Sequence, residues 1–286
     1  MEPRLATHDL DARVARAAAT VQSHNVLPPR VAITLGSGLS AIAEAAEGAL
    51  VIQTADLPDW PRSTVSGHAG RLVIGRWRQV PVIVLAGRTH RYEGYPLDRA
   101  TFGVRVAHAL GARTFLFTNA AGGIAASLSP GDLMLATDHI NFVGKRGLFT
   151  REELKARQSG RAVGSIHAPE LRAALMAAAE EAAVPLHLGV LFATHGPSYE
   201  TAAEIRWAMA MGASAVCMST VHEATVAAHL GGSAASLSMI TNRATGLDPS
   251  PLSHEEVMVK AAEASGRLRA VIERFLDREH AGQKRG

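Results

Sequence analysis

The sequence predicts a single α/β domain whose central sheet is mixed, mostly parallel and flanked by helices. Three observations support this fold class. Short apolar runs alternate along the chain with segments of helical periodicity, which is typical of parallel sheets with helical connections. Nearly every apolar run is followed directly by a cluster of polar residues. The 286 residues, 47% of them hydrophobic, are enough to bury one large core.

The individual elements follow from these patterns in chain order. Strands are predicted where short apolar runs occur, at 31–35, 71–75, 80–86, 115–117, 133–137, 188–193, 215–217 and 235–240. Helices are predicted where apolar residues recur at helical spacing or alanine is frequent, at 9–24, 41–49, 97–110, 169–183, 201–211, 222–230 and 254–277. We expect one domain over residues 1–277 and a polar tail at 278–286.

Composition and charge limit the function classes. The net charge is +3 and the pI about 9.3, but the cations are spread along the chain, so no nucleic-acid-binding stripe is predicted. The single cysteine, Cys217, excludes an internal disulfide and fits a reducing compartment. The N-terminus does not resemble a signal peptide, and no apolar run has the length of a membrane span. We therefore expect a cytoplasmic protein without nucleic-acid or membrane partners.

The densest polar cluster lies at residues 87–96, directly after a predicted strand. It contains Arg88, His90, Tyr92 and Glu93. Arg88 and His90 are two residues apart, so in extended backbone their side chains leave on the same side. Two donors on one side suit a doubly charged oxyanion such as phosphate. The alternative interpretation is a surface loop with scattered charge.

A second anion-binding signal is the turn that contains Gly36, Ser37 and Gly38, between a predicted strand and a predicted helix. Glycines allow close approach to backbone N–H groups, and a helix N-terminus carries partial positive charge. The turn lacks the third glycine of a dinucleotide fingerprint and the lysine of a P-loop, so an ordinary turn is equally compatible. His68, in a glycine-containing loop, is on its own more typical of an exposed histidine.

The carboxyl ends of parallel strands meet at one edge of a sheet, and ligands bind there in folds of this class. We therefore expect a single site that combines residues following different strands: Ser37, Arg88, His90, Asn119, Glu200, Ser219 and Asn242. Capping-box patterns at 201–204 and 253–256 predict that helices begin beside Glu200 and His254.

Metal and covalent chemistry are not predicted. The chain has 13 histidines, but His222 and His229 lack the spacing that places two metal ligands on one helical face. The pair Asp138-His139 has no further partner at ligand spacing. There is no Gly-x-Ser-x-Gly motif, and Cys217 follows an apolar strand, so an acyl-enzyme nucleophile is not expected.

A series of short motifs spans about residues 28–275: Gly36-Ser-Gly-Leu39, Gly67-His-Ala-Gly70, Arg88-Thr-His90, Tyr92-Glu-Gly-Tyr-Pro96, Thr118-Asn-Ala-Ala-Gly-Gly123, Asp138-His-Ile-Asn141, Gly196-Pro-Ser198 with Glu200-Thr201, Met218-Ser-Thr220, Thr241-Asn242 and His254-Glu-Glu-Val257. Together, and in this order, they resemble the purine nucleoside phosphorylases of the trimeric, low-molecular-mass class. Any one motif alone would not be specific.

The resemblance implies a role for each matched residue. The implied phosphate ligands are Ser37, His68, Arg88, His90, Ser219 and the backbone N–H of Ala120. The implied ribose contacts are Tyr92, Met218 and His254, and the implied purine contacts are Tyr199, Glu200, Val216 and Asn242. Catalytic roles fall to His90, Glu200, Asn242 and His254. The resemblance also implies a homotrimer, inorganic phosphate as co-substrate and no cofactor; trimer against hexamer stays open.

The implied reaction is phosphorolysis of purine nucleosides to free base and ribose 1-phosphate, as in purine salvage. Glu200 can accept the N1–H of a purine while Asn242 donates to N7, where negative charge grows as the base leaves. This pair favours 6-oxopurines, hence inosine, guanosine and their deoxy forms. Two alternatives stay open: a phosphorylase for methylthioadenosine or methylthioinosine, and a nucleoside-binding protein without turnover.

The chain departs from the family pattern at residues 142–167. In the family this segment supplies a phenylalanine that closes a neighbouring subunit's ribose site, and Phe142 and Phe149 are both candidates here. His195, Leu191 and His222 also differ from the usual residues at their positions. These departures bear on substrate range and subunit contacts, and they leave the phosphate and purine ligands intact.

Overall fold

The computed structural model describes residues 7–65, 70–145, 147–149, 153, 165–248 and 254–283. In these ranges the strands are β1 (Val31–Leu35), β2 (Glu47–Gln53), β3 (Arg71–Trp77), β4 (Val80–Ala86), β5 (Thr114–Gly123), β6 (Leu133–Asn141), β7 (Leu186–Ala193), β8 (Ala215–Cys217) and β9 (Ser233–Arg243). The α-helices are α1 (Thr7–Gln22), α2 (Leu97–Ala100), α3 (Phe102–Ala109), α4 (Pro169–Glu181), α5 (Ala202–Ala210), α6 (Val221–His229) and α7 (His254–Gln283). Short 3₁₀ helices lie at Ser40–Ala45, Thr54–Asp56 and Arg91–Glu93.

All nine of these strands belong to one mixed sheet, in the order β2-β3-β4-β1-β5-β8-β7-β6-β9. The parallel pairs are β1–β4, β1–β5, β5–β9, β6–β7 and β7–β8, and β2, β3 extend the sheet with antiparallel pairs. Because β9 pairs with both β6 and β5, the last five strands close into a ring. This sheet confirms the predicted fold class.

Helices cover both faces of the sheet, which explains why its central strands are mostly buried. All five residues of β1 are buried. Ile33 and Leu35 share a core cluster with α7, to which Leu268 and Phe275 contribute. On the opposite face, Ala32 belongs to a cluster formed with α1, α3 and α6. The sheet is therefore a rigid central layer, and its strand ends are held in fixed positions.

The helix predicted at 41–49 is wrong. The structure has the 3₁₀ helix Ser40–Ala45 and then strand β2, which pairs antiparallel with β3. Alanine favours helix, but Gly48 has φ 57° and Ile52 is buried against the sheet. Edge pairing with β3 therefore outweighs the intrinsic helix propensity of the segment.

Other boundaries also differ from the predicted ones. The predicted helix 97–110 is two helices that meet at Thr101, whose hydroxyl donates to Leu97 O at 2.8 Å. Helix α7 continues to Gln283, beyond the predicted end at 277. Strands β5 and β9 extend past the predicted runs and include the polar residues after them. Among the described residues no helix combines the length and apolar character needed to span a bilayer.

Candidate active site

One cavity lies where β1, β4, β5, β8 and β9 end. It comprises about 730 Å³ of space, a figure that includes space open to solvent. The residues lining it include every member of the predicted rim: Ser37, Arg88, His90, Asn119, Glu200, Ser219 and Asn242. The sheet therefore brings together groups that are far apart in the sequence.

The turn after β1 is packed directly against β5. Gly36 N–H donates to the Thr118 hydroxyl at 3.1 Å, and that hydroxyl donates to Thr34 O at 3.0 Å. A Cβ atom on Gly36 would lie 2.8 Å from the Cα of Asn119, so only glycine fits. This close approach places Ser37 in the same cavity wall as Asn119 and Ala120.

Arg88 is held beneath the cavity by groups from three elements. Its Nη1 donates to Thr118 O at 2.7 Å and to Ser219 Oγ at 3.3 Å. Its Nε lies 3.0 Å from Oε2 of Glu223 on α6, and both side chains are buried. Burial raises the pKa of Glu223, while the Arg88 charge opposes that shift. The guanidinium is therefore oriented before any ligand arrives.

His90 is oriented in a similar way by Glu93, one turn later. The backbone N–H of His90 donates to Glu93 Oε1 at 2.6 Å, and His90 Nδ1 lies 3.2 Å from the same oxygen. Burial disfavours the charged form of Glu93, but hydrogen bonds from His90 and Thr64 outweigh it and lower its pKa to about 2. An ionised carboxylate thus faces one ring nitrogen of His90.

The turn between β8 and α6 is strained. Thr220 has φ 69° and ψ −54°, and Val221 N–H donates to Ser219 O at 2.8 Å, which closes a three-residue γ-turn. Such backbone costs about 1–3 kcal/mol and persists where the surroundings enforce it. Here the Thr220 hydroxyl accepts from Asn119 Nδ2 at 3.0 Å and contacts Ser219 Oγ at 3.1 Å.

A carboxylate and an amide lie at another part of the cavity. Glu200 is buried, and its Oε1 accepts from the Thr194 hydroxyl at 2.5 Å. Asn242 Oδ1 accepts from the Thr241 hydroxyl at 2.8 Å, and its Nδ2 donates to Arg243 O at 2.8 Å. One oxygen of Glu200 and one N–H of Asn242 are used to hold these two side chains in place. A carboxylate and an amide each have further hydrogen-bonding positions, which can serve a ligand.

Two aromatic residues and a thioether complete the wall between these regions. Tyr92 stacks on the ring of His90, with centroids 4.7 Å apart, and burial, followed by the Glu93 charge, raises its pKa to about 12. A Cβ atom on Gly196 would lie 2.4 Å from Met218 Sδ and 2.9 Å from Tyr92. Tyr199 is 41% exposed at the cavity mouth.

Most of the residues that the resemblance assigned to the site line this cavity. They are Ser37, Arg88, His90, Tyr92, Ala120, Tyr199, Glu200, Val216, Met218, Ser219 and Asn242. His68 lies outside the described residues. His254 is the first residue of α7, and its side chain lies outside the described part.

Sequence reasoning did not assign roles to the residues behind these groups. Glu223 holds Arg88 and Thr194 holds Glu200, while Thr118 joins Arg88 to the β1 turn. In the sequence, Glu93 is only one of several polar groups in the cluster at residues 87–96. A spacing of three residues between His90 and Glu93 was an available signal, whereas Glu223 offered none because its partner is distant in the sequence.

The structure also bears on the chemistry that the sequence did not favour. Burial raises the pKa of Cys217 to about 12, so the thiol is not a ready nucleophile. His139 Nδ1 lies 3.2 Å from His167 Nε2, but the described residues contain no group of three or more side chains suited to hold a metal ion.

A buried arginine, a buried histidine and a hydroxyl at one end of a cavity, with a carboxylate and an amide elsewhere, can bind an anion beside a polar ring. Known proteins with this fold are similar to the chain over most of its length. The sequence profile of the Phosphorylase superfamily matches residues 30–277. The chain belongs to this superfamily.

Several purine nucleoside phosphorylases are similar to the chain. Purine nucleoside phosphorylase 1 of Bacillus subtilis is 42% identical over 246 residues, covering 86% of this chain and 91% of that protein. Purine nucleoside phosphorylase of Mus musculus is 38% identical over 225 residues, covering 77% and 78%. The crystal structure of Schistosoma mansoni purine nucleoside phosphorylase in complex with adenosine is 31% identical, with a TM-score of 0.85 and coverage of 93% and 96%.

Proposed function

We propose that this protein is an enzyme that splits purine nucleosides with inorganic phosphate, giving the free base and ribose 1-phosphate. The observation that carries the proposal is the shared cavity: the anion-binding group around Arg88 and the purine-recognising pair, Glu200 and Asn242, face the same space. The names of the relatives support the same reaction. No dissociable cofactor is needed, because phosphate is itself the nucleophile.

At the anion end, Arg88, Ser219 and Ser37 bind phosphate together with His90 and the backbone N–H of Ala120. Guanidinium and hydroxyl donors complement the oxygens of a dianion. His68 is assigned to the same role by its motif. Glu93 keeps the His90 ring oriented in the cavity wall. One phosphate oxygen then attacks C1′ of the ribose as the N9–C1′ bond breaks.

At the base end, Glu200 and Asn242 stabilise the leaving purine. With Oε1 occupied by Thr194, Oε2 of Glu200 can accept the N1–H of a 6-oxopurine. The second N–H of Asn242 can donate to N7, where charge develops. Tyr199 and Val216 contact the base, and Tyr92, Met218 and His254 contact the ribose. A carboxylate at the Asn242 position would suit 6-aminopurines, so the amide favours inosine and guanosine over methylthioadenosine.

The proposal includes the assembly and location expected from the sequence, a cytoplasmic homotrimer of single-domain subunits. An aromatic cluster supports subunit contacts: Phe142, 56% exposed, packs against Phe192 and Trp207 with ring centroids 5.3 and 5.0 Å away. Sedimentation at several protein concentrations measures the assembly. A persistent monomer would contradict a trimer without affecting the proposed reaction.

The test of the reaction is release of free base from inosine, guanosine and adenosine, each with and without phosphate. We expect phosphate-dependent release from inosine and guanosine, with adenosine slower by at least about 100-fold, because its N1 has no proton for Glu200. Release without phosphate would indicate a hydrolase. Failure to act on any nucleoside, while phosphate still binds, would indicate a nucleoside-binding protein.

A further inference from the structure

Glu223 lies behind the cavity rather than in its wall, and its carboxylate is almost completely buried. Its Oε2 is 3.0 Å from Arg88 Nε, and each side chain is only 3% exposed. Glu223 lies in the first turn of α6, which begins directly after the strained turn, and the backbone N–H of Thr220 favours the charged form of its carboxylate. One buried group thus ties the loop that carries Arg88 to the strained turn that carries Ser219.

Arg88 is the cation of this buried pair, and the groups next to it determine how its charge is compensated. A buried cation is strongly unfavourable unless an opposite charge lies close to it. His222, next to Glu223, is fully buried; its burial, followed by the charges of Arg88 and His90, lowers its pKa to about 3. The His222 ring is therefore neutral and adds no second cation. Burial raises the pKa of Glu223, but the permanently charged guanidinium of Arg88, 3.0 Å away, opposes that shift and favours the ionised carboxylate. Before phosphate binds, this carboxylate supplies the negative charge that Arg88 needs.

We propose that Glu223 is an internal counter-ion and positioning residue that fixes the orientation of Arg88 and lowers the affinity of the site for phosphate. The inference rests on the proposed phosphorolysis for its kinetic readout. Because Nε is held by Glu223 and Nη1 by Thr118 O and Ser219 Oγ, the plane of the guanidinium is fixed at the cavity wall. The cost of this arrangement is that an incoming dianion meets an arginine whose charge is already partly neutralised. The carboxylate therefore keeps Arg88 ordered in the empty site, and by weakening anion binding it favours the release of phosphate and ribose 1-phosphate.

Two substitutions separate the charge of Glu223 from its geometry. Glu223→Gln keeps the length of the side chain and one acceptor oxygen but removes the negative charge. We expect the KM for phosphate to fall by about fivefold. Glu223→Asp keeps the charge but withdraws it by one methylene, so Arg88 is less well held; we expect the KM for phosphate to rise by about fivefold. In both variants the kcat at saturating phosphate changes less than the KM.

Thermal unfolding with and without phosphate gives a second readout that needs no nucleoside. Glu223→Gln should have a lower Tm than wild type in phosphate-free buffer and a larger increase on adding phosphate, because the anion replaces the lost counter-ion. The matched control is Glu153→Gln, which neutralises the partner of another buried arginine, Arg105, outside the cavity wall. This control should lower the Tm equally with and without phosphate.

The outcomes are distinct. KM values that move in the same direction in both Glu223 variants, or a phosphate-dependent Tm increase equal to wild type in Glu223→Gln, would overturn the inference. Folding of Glu223→Gln only when phosphate is present would support it. Should that variant fold under no condition, an unchanged phosphate KM in Glu223→Asp overturns the positioning role. If wild type releases no base but is stabilised by phosphate, the proposed function fails and the Tm comparison still tests Glu223.

Discussion

The two ends of the cavity are built differently. At the anion end, Arg88 and His90 are buried and each is paired with a buried carboxylate, Glu223 and Glu93. At the base end, Glu200 is held by a neutral hydroxyl, and Tyr199 is 41% exposed. The anion end therefore depends on a guanidinium and an imidazole that are oriented in advance by buried carboxylates, one distant in the sequence and one three residues away. The base end depends on hydrogen-bond direction, which local neighbours set.

The two ends of the cavity suit two ligands of different shape and charge. Phosphate is small and symmetrical, so its recognition requires strong, fixed donors in a site of low dielectric. A purine ring is recognised by the direction of a few donors and acceptors at its edge, and a more open mouth lets it enter and leave. Substitutions at the two ends should accordingly have effects of different size and kind.

The largest effect is expected at the anion end. Arg88→Met removes several donors and leaves Glu223 without its partner, so kcat/KM for phosphate should fall by about 10³-fold or more. Steady-state kinetics with phosphate varied at saturating inosine measures this. Arg105→Met is the matched control, since Arg105 is also a buried arginine paired with a carboxylate; it should change the Tm and spare phosphate kinetics. An Arg88 variant within tenfold of wild type would contradict the proposed phosphate site.

A smaller effect is expected at the base end. Glu200→Gln exchanges one acceptor oxygen for a donor, so turnover of inosine and guanosine should fall by about 10²-fold. The KM for phosphate should stay near the wild-type value, which distinguishes this end from the other. Glu204→Gln, in the capping box of α5, is the control because its carboxylate contacts Thr201 at the helix start. Equal losses in both variants would show that the Glu200 effect is structural.

The smallest effect concerns the pH dependence of stability at the anion end. The pKa of Glu93 is about 2 in the folded protein against an ordinary value of 4.5. A carboxyl whose folded pKa is lowered stabilises the protein above its unfolded pKa, and that contribution is lost as the pH falls towards the folded value. The Tm difference between wild type and Glu93→Gln should therefore be constant near neutral pH and shrink below about pH 4.5.

Thermal unfolding of both proteins between about pH 7 and pH 3 checks this. Thr64→Val, which removes a 2.9 Å hydrogen bond to Glu93, should show the same trend with smaller amplitude. A Tm difference for Glu93→Gln that is independent of pH would contradict a lowered pKa for this carboxyl. It would leave only a packing role for Glu93 beside His90.

Sequence reasoning was most successful where a signal is local. Ser37 and Asn242 were expected at the site because each directly follows an apolar strand, and the sheet does bring both to one cavity. It failed at 41–49, where alanine content indicated a helix and the chain instead forms edge strand β2. Pairing with β3 determines that this segment forms a strand, and no property of the segment alone shows that such a pairing partner is available.

The class of fold and the polar residues at strand ends can be predicted from the sequence, because the alternation of apolar runs and turns is a local property. The pairing of Arg88 with Glu223, the link from Arg88 through Thr118 to the β1 turn and the closure of the last five strands into a ring are visible only in the folded protein. A buried charge is tolerated only beside a partner, and partners from distant segments become neighbours only when the sheet is assembled.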